Sequence, residues 1–250
     1  MRVPYYLLIL LPWLAALPSQ AQDLAATCRA SSSYDVTLAP DILQFDRQAP
    51  APLHVDIAGG VLRTDGVKVR LNLEDRDRLV LFERNLRALA PRVRTVARNG
   101  VDIAVQALRT EADGMGLSAD ARAEFDRRLT MHADELKRRI AASRSTRDWQ
   151  GDAANQYANQ IAADLLPILA ADLGQQALNA ALSGDMQAAA SLRDRATSLA
   201  TELQPHLQQR MQALRPQVEA LCPAIRRLAE LQQGVRASNG QLLDLLQVGS

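Results

Sequence analysis

The spacing of apolar residues changes near Leu73, and this change limits what the chain can fold into. From there, apolar or small residues recur at alternating intervals of three and four positions, at Leu79, Phe82, Leu86, Leu89, Val93, Val96, Gly100, Ile103 and Ala107. A period of about 3.5 residues predicts a long helix that packs along another helix. Pro91 lies just off this stripe, and we expect it to kink the helix because proline removes a backbone donor.

Before Leu73 the period is two, which is typical of β-strands. Apolar and polar residues alternate on both sides of two turn signals, Gly59-Gly60 and Asp65-Gly66. An Asp-Gly pair between alternating runs favours a tight hairpin, because both central positions can adopt positive φ. We therefore predict an antiparallel meander of four or five strands over residues 34–71.

Three more helical regions follow the first helix. Ser118 is a candidate N-cap for a helix that runs to about Ser143, and an alanine-rich helix is expected from about Ala153 to Leu182. The last region carries a second stripe with a 3.5-residue period, at Leu207, Met211, Leu214, Val218, Leu221, Ile225 and Leu228. Two such stripes in one chain favour antiparallel packing inside a helical bundle.

Three prolines interrupt the second stripe: Pro205, Pro216 and Pro223. They favour several short helices, or one repeatedly bent helix, over a single straight one. The fold class predicted from these patterns is α+β and mostly α, with a small N-terminal antiparallel β-meander and a bundle of long, partly kinked helices. The expected boundaries are a signal peptide at 1–21, the meander at 22–72 and the bundle at 73–250, with meander and bundle in one structural unit.

The first residues, MRVPYYLLILLPWLAALPSQAQ, have the organisation of a secretory signal. Arg2 is followed by an apolar run from Tyr5 to Leu17 and then by the small-residue pattern Ser19-Gln20-Ala21, which predicts cleavage after Ala21. The apolar run is shorter than the roughly 20 residues that a membrane-spanning helix needs. We expect an exported, periplasmic protein with no transmembrane segment.

The two cysteines, Cys28 and Cys222, both follow the predicted cleavage site. A lipid anchor on Cys28 would need a small residue before it, but Thr27 stands there and Gln22 and Asp23 interrupt the apolar run. Two free thiols are the alternative, although an oxidising compartment favours a disulfide between the two cysteines. Such a bond would join the start of the meander to the last helical region.

The charge balance argues against a general nucleic-acid binder. The chain has 29 basic and 28 acidic residues, and removal of Arg2 with the signal leaves the two equal, whereas nucleic-acid binders carry a basic excess. Arg84, Arg87, Arg94 and Arg98 share one side of the first long helix. They are candidates for contact with an anionic surface such as lipid headgroups, although a solvated face of ordinary ion pairs explains the same pattern.

The remaining polar residues do not form a recognisable catalytic, cofactor or metal motif. None of the three histidines, His54, His132 and His206, stands at a metal-ligand spacing from another. The loop DGMGLSAD lacks the lysine and remaining glycines of a phosphate-binding loop. We therefore predict no catalytic residues, no metal and no cofactor, and expect His132 to be an ordinary histidine at the edge of the core.

The order of these features resembles a YggN-like family of uncharacterised exported bacterial proteins, a domain of unknown function. The resemblance is carried by an early cysteine, VTLAPDILQF, GGVLRTDGVKVRLN, the helix containing RNGVDIA, and LCPAIRRLAELQQGV near the end. It implies a periplasmic location and offers no catalytic residues to carry over. The segment from about Asp113 to Met186 contributes no motif to it.

The leading functional hypothesis is a non-catalytic envelope protein that acts through its surfaces, as an interaction or chaperone-like module. Envelope proteins and lipid headgroups are the candidate partners. The alternative is a binder of a lipid or another apolar small molecule between helices. An enzyme that uses scattered carboxylates is the third hypothesis.

Overall fold

A computed structural model describes residues 27–149 and 152–249 of the 250-residue chain. The predicted signal peptide and its cleavage site after Ala21 lie outside the described residues. The strands are β1 (Ala30–Ser31), β2 (Asp35–Leu38), β3 (Leu43–Asp46), β4 (His54–Ala58), β5 (Val61–Thr64), β6 (Val67–Lys68) and β7 (Gln247–Val248). Strands β2 to β6 form a five-stranded sheet in sequence order, and β1 pairs with β7. The predicted antiparallel meander is therefore present.

The two predicted turn signals each join neighbouring strands through two residues. Ala58 pairs with Val61 around Gly59 and Gly60, which have φ of 54° and 79°. Thr64 pairs with Val67 around the second turn, where Asp65 and Gly66 have φ of 50° and 79°. Positive φ at both central residues matches the right-handed twist of the strands, which explains why these dipeptides predicted the two turns correctly.

The helices are α1 (Leu73–Gly114), α2 (Ala119–Ala142), α3 (Asp152–Leu182), α4 (Met186–Met211), α5 (Arg215–Glu219) and α6 (Cys222–Gln232). Their starts follow from capping: Asn72 Oδ1 accepts from the Asp75 N–H at 2.7 Å, and the Ser118 hydroxyl accepts from the Ala121 N–H. Helices α1 to α4 form the bundle, with α3 and α4 as an antiparallel hairpin. The α+β, mostly α, fold class is confirmed.

The prolines act differently according to their place in a helix. Pro91 lies inside α1 and Pro205 inside α4, and both helices continue through them. Pro216 and Pro223 instead stand in the first turns of α5 and α6. A first-turn proline removes no helical hydrogen bond, so the chain restarts there as a short helix. The expected division of the last helical region is found at these two positions.

The stripe of α1 lies against two cores in succession. Its first half, including Leu79, Phe82 and Leu89, packs with the sheet and α6. Further along, Ala112 packs with Phe125 and Leu129 of α2 and with α3 residues Leu165, Leu169 and Leu173. The sheet and the bundle are thus held together because one long helix contributes to both cores.

The chain after Gln232 is not helical, which differs from the expectation of a bundle extending to residue 250. This C-terminal tail, residues 233–249, turns at Asn239-Gly240, where Arg236 and Leu242 form an isolated bridge. It then runs back across the sheet and α6, burying its apolar residues Val235, Ala237, Leu243 and Leu245. Within residues 27–149 and 152–249, no helix combines the length and apolarity needed to cross a membrane.

Candidate functional site

A disulfide joins the start of the described chain to the beginning of α6. Cys28 and Cys222 are bonded at an S–S distance of 2.00 Å and a Cα–Cα distance of 5.2 Å, across 194 positions of sequence. Just beyond Cys28, Ala30 of β1 pairs with Val248 of β7. The predicted Cys28–Cys222 pairing is therefore found, and the bond closes the fold where its first and last strands meet.

Two of the four arginines proposed for an anionic surface hold elements of the fold together. Arg87 donates to the Ala39 carbonyl at 2.7 Å and also to Glu83 Oε1, while Glu83 Oε2 accepts from the Gly59 N–H at 2.9 Å. This ion pair thus fastens two turns of the sheet to α1. Arg94 donates to the Ser143 carbonyl, which follows the end of α2, at 2.6 Å.

The other two arginines of that set, Arg84 and Arg98, are exposed. They lie on the same helix as Arg87 and Arg94, but among the described residues their side chains do not bond to the sheet or to α2. Contact between this part of α1 and an anionic surface stays a prediction that now concerns Arg84 and Arg98.

His132 meets a carboxylate from another helix. Its Nε2 donates to Asp164 Oδ2 at 2.8 Å, and Arg128 forms an ion pair with Asp164 Oδ1. The hydrogen bond from His132, assisted by Arg128, holds the pKa of Asp164 below its ordinary value. Both carboxylate oxygens are used by α2 side chains, so the cluster fastens α3 to α2. Sequence spacing did not reveal it because the partners are 32 positions apart.

His54 lies between two aspartates on the sheet. Its Nδ1 contacts Asp46 on β3, and its Nε2 lies 3.0 Å from Asp56 Oδ1 two residues along β4. The hydrogen bond with Asp46 raises the pKa of His54, outweighing the opposing effect of burial. Over residues 27–149 and 152–249, no three or more His, Cys, Asp or Glu side chains are arranged to hold a metal ion.

A polar cleft of about 520 Å³ lies between α1 and the end of α4. It is lined by Glu111, His206, Gln209, Arg210 and Ala213, and His206 Nδ1 lies 3.1 Å from Glu111 Oε2. Ligand sites for apolar molecules are lined mainly by hydrophobic and aromatic side chains. The polar lining of this cleft therefore does not support the hypothesis of an apolar ligand at this position.

The end of the α3–α4 hairpin exposes three large apolar side chains. Leu178 is 53% exposed, Leu182 is 78% exposed and Met186 is 67% exposed. The turn Ser183-Gly184-Asp185 connects the last two. We call these three side chains and this turn the hairpin tip. Unlike the ion pairs above, these side chains are not used to join elements of the fold.

The family model described as a protein of unknown function (DUF2884) matches residues 28–246. The chain belongs to the DUF2884 family. No curated protein and no solved structure is similar enough to the chain to count as a match.

The DUF2884 match begins at the disulfide residue Cys28 and ends one residue before β7. It therefore spans the meander, helices α1 to α6 and most of the C-terminal tail. The resemblance to uncharacterised exported proteins is compatible with this family, and the family description assigns no activity.

Sequence reasoning placed the turn Ser183-Gly184-Asp185 but missed the exposed apolar side chains beside it, and it missed the C-terminal tail of this DUF2884 protein. The signal for the tip was present: residues 173–192 carry one charge, Asp185, and still include five large apolar residues. For the tail, the Asn239-Gly240 pair is a strong hairpin signal. Neither segment has a sustained period of 2 or 3.5, so the patterns used for the rest of the chain did not detect them.

Proposed function

We propose that this DUF2884 protein is exported to the periplasm and acts there as a non-catalytic binding module of the cell envelope. The observation that carries the proposal is the hairpin tip, because it presents large apolar side chains where no other element of the described fold covers them. Exposed apolar groups clustered at one place mark interaction sites more often than scattered ones do.

Two further observations support this proposal. The Cys28–Cys222 disulfide suits an oxidising compartment, as the N-terminal signal pattern also does. The contact of His54 with Asp46 links two strands, and the contact of His132 with Asp164 links two helices. A protein built this way offers surfaces for binding, either to an envelope component or to exposed apolar segments of other proteins.

The test is photocrosslinking in the periplasm of cells that express the full chain. A photoreactive amino acid replaces Met186 at the hairpin tip in one strain and Leu242, 58% exposed on the C-terminal tail, in a matched strain. We expect a defined protein or lipid adduct from the Met186 position that is absent from the Leu242 position. Recovery of the protein in the cytoplasm, or equal adducts from both positions, would contradict the proposal.

A further inference from the structure

We propose that the hairpin tip inserts into the boundary between headgroups and acyl chains of a phospholipid bilayer. The proposal rests on the proposed function, an exported protein that acts through a surface, and names a bilayer as the partner of that surface. Four features of the α3–α4 hairpin support it: its reach, its low charge, the hydrogen bonds within its turn and the position of its first cations.

The hairpin extends past the rest of the bundle. Beside the turn between α1 and α2, Asp172 of α3 accepts from the Ser118 N–H at 3.0 Å, and Gln176 donates to the Gly116 carbonyl at 3.1 Å. Helix α3 continues for six residues beyond Gln176 to Leu182. At about 1.5 Å per residue this is an overhang of about 9 Å.

The second arm of the hairpin has the same reach. On α4, Leu192 packs on the core formed with Leu165 and Leu169, six residues after the helix begins at Met186. Segments that lie in a membrane interface enter it to a depth of about 5–10 Å. The overhang of both arms therefore matches the depth of the headgroup–acyl boundary.

The overhang has almost no charge to desolvate. Between Leu173 and Leu192 the only ionisable side chain is Asp185, and the other polar residues are uncharged Gln, Asn and Ser. Leu178 and Leu182 lie one turn apart on α3, and Met186 opens α4, so apolar side chains emerge from both arms. A bilayer can surround the tip and cover the apolar side chains of both arms, whereas a flat protein surface would cover one side of the tip.

The turn pairs part of its own backbone. Gly184, with φ of 87°, donates to the Ala181 carbonyl at 3.1 Å, and Asp185 donates to the Ala180 carbonyl at 2.9 Å. Asp185 also caps α4, because its carboxylate accepts from the Ala188 N–H at 2.9 Å. These bonds pair part of the backbone at the end of α3 and the start of α4 within the turn itself, so fewer groups there need water when the segment enters a lipid environment.

The first cations above the tip are placed at headgroup height. Arg193 and Arg195 are exposed on α4, seven and nine residues after Met186, with the exposed Asp194 between them, so this level carries a net positive charge. That places their backbones about 10 and 14 Å from the helix start. Arginine side chains at this level reach phosphate groups while the apolar tip lies deeper.

A second copy of the chain is the less favoured occupant. Stable protein–protein interfaces bury roughly 800 Å² on each partner. Three partly exposed side chains at the end of two helices offer a small area beside that value. A bilayer can instead cover both arms of the tip at once.

The experiment uses the purified, disulfide-bonded mature protein and two kinds of vesicle. One contains phosphatidylethanolamine and phosphatidylglycerol, and the other contains phosphatidylcholine alone. Co-sedimentation should show binding to both, and the double variant Leu178→Gln/Leu182→Gln should bind about 100-fold more weakly, since each leucine leaving water contributes about tenfold. The matched control Leu242→Gln removes an equally exposed leucine elsewhere and should bind as the unchanged protein does.

A depth measurement complements the binding assay. In the variant Leu182→Trp, the added fluorescence should shift to the blue with vesicles and be quenched most by lipids brominated near the headgroup end of the acyl chain. Three results would overturn the proposal. One is the absence of binding to either vesicle. Another is binding that high salt abolishes but that the double variant retains. The third is self-association that the double variant loses, with no binding to vesicles. Any of these can occur while periplasmic location and the Met186 crosslink still hold, so the two proposals fail separately.

Discussion

At the scale of single residues, the turn between β4 and β5 shows how a close approach selects glycine. A Cβ added at Gly60 would lie 2.8 Å from both Arg76 Cγ and Val80 Cγ2, and 3.0 Å from the Arg76 carbonyl oxygen. A Cβ at Gly59 would meet nothing within 4 Å. Both residues have positive φ, so the pair separates backbone strain from steric contact with α1.

We predict that Gly60→Ala lowers the free energy of unfolding by about 2–4 kcal/mol, as positive φ and overpacking act together. The matched variant Gly59→Ala should lower the free energy of unfolding by about 1 kcal/mol, because only the strain of positive φ acts there. Urea denaturation of both variants measures the difference. Equal losses would show that α1 yields to the added methyl group and that the close approach does not determine the residue.

His54 should make the stability of the folded protein depend on pH, and the contacts of its ring determine the sign of that dependence. Protonation strengthens the hydrogen bond from Nδ1 to Asp46 and places a positive charge beside Asp56, so the pKa in the folded protein is raised above the ordinary value of 6.5. The resulting stabilisation is fully present below the unfolded-state pKa and is lost as pH rises through the folded-state value. His54→Gln should therefore destabilise the protein more at pH 5.5 than at pH 8.5.

Urea unfolding of the unchanged protein and His54→Gln at the two pH values measures this effect. A direct NMR titration of the His54 ring should give a pKa above 6.5, and Asp46→Asn should bring it down because the largest cause of the shift is removed. A ring that titrates at or below 6.5 would contradict the contact geometry.

At the scale of elements, one buried glutamine holds the C-terminal tail. Gln232 is 5% exposed, and its Oε1 accepts from the N–H groups of Leu245 at 2.9 Å and Leu246 at 3.2 Å. Its Nε2 donates to the Leu246 carbonyl. This side chain takes the place of a strand partner for that part of the tail.

We predict that Gln232→Ala lowers the free energy of unfolding by about 2–3 kcal/mol, because it leaves buried backbone groups without partners. The adjacent Gln233 is exposed, so Gln233→Ala should stay within about 0.5 kcal/mol of the unchanged protein. Urea denaturation gives both values, and hydrogen exchange should be faster at Leu245 and Leu246 in Gln232→Ala alone. Unchanged exchange there would contradict the role of Gln232.

The elements that the sequence predicted well are those whose partners follow from a repeating pattern. Leu79, Phe82 and Leu89 are buried because a 3.5-residue period places them on one face of α1. The tail is held instead by single contacts, such as Ser238 with the buried Thr64, 174 positions away. Local periodicity contains no information about such pairs, which explains why the helices were anticipated and the tail was not.

At the scale of the whole molecule, the same limit applies to the candidate sites. The sequence grouped four arginines on one side of α1, yet Arg87 bonds to Ala39 and Arg94 to Ser143, 48 and 49 positions away. The hairpin tip is apolar in sequence, but its exposure depends on where the α1–α2 turn ends relative to α3. The cysteine pair was predictable because the sequence has only two cysteines, so one pairing was available.

The Cys28–Cys222 bond should stabilise the folded protein because it closes a long loop in the unfolded chain. A loop of 194 positions gives about 5 kcal/mol in the chain-entropy treatment, and removal of native disulfides costs 2–5 kcal/mol in small secreted domains. We predict that the double variant Cys28→Ser/Cys222→Ser unfolds with a free energy lower by about 3–5 kcal/mol. Urea denaturation of the variant and of the oxidised protein measures the loss.

The reduced unchanged protein is the matched control, because it lacks the bond and keeps both sulfur atoms. Its unfolding midpoint should agree with that of the double variant, since both have lost the same cross-link. Intact mass under non-reducing conditions should be lower than that of the reduced form by two hydrogen atoms. Hydrogen exchange should rise first in β1 and β7, the two-residue strands that the bond brings together. A double variant as stable as the oxidised protein would mean that the core around α1 and α6 closes the fold without the disulfide.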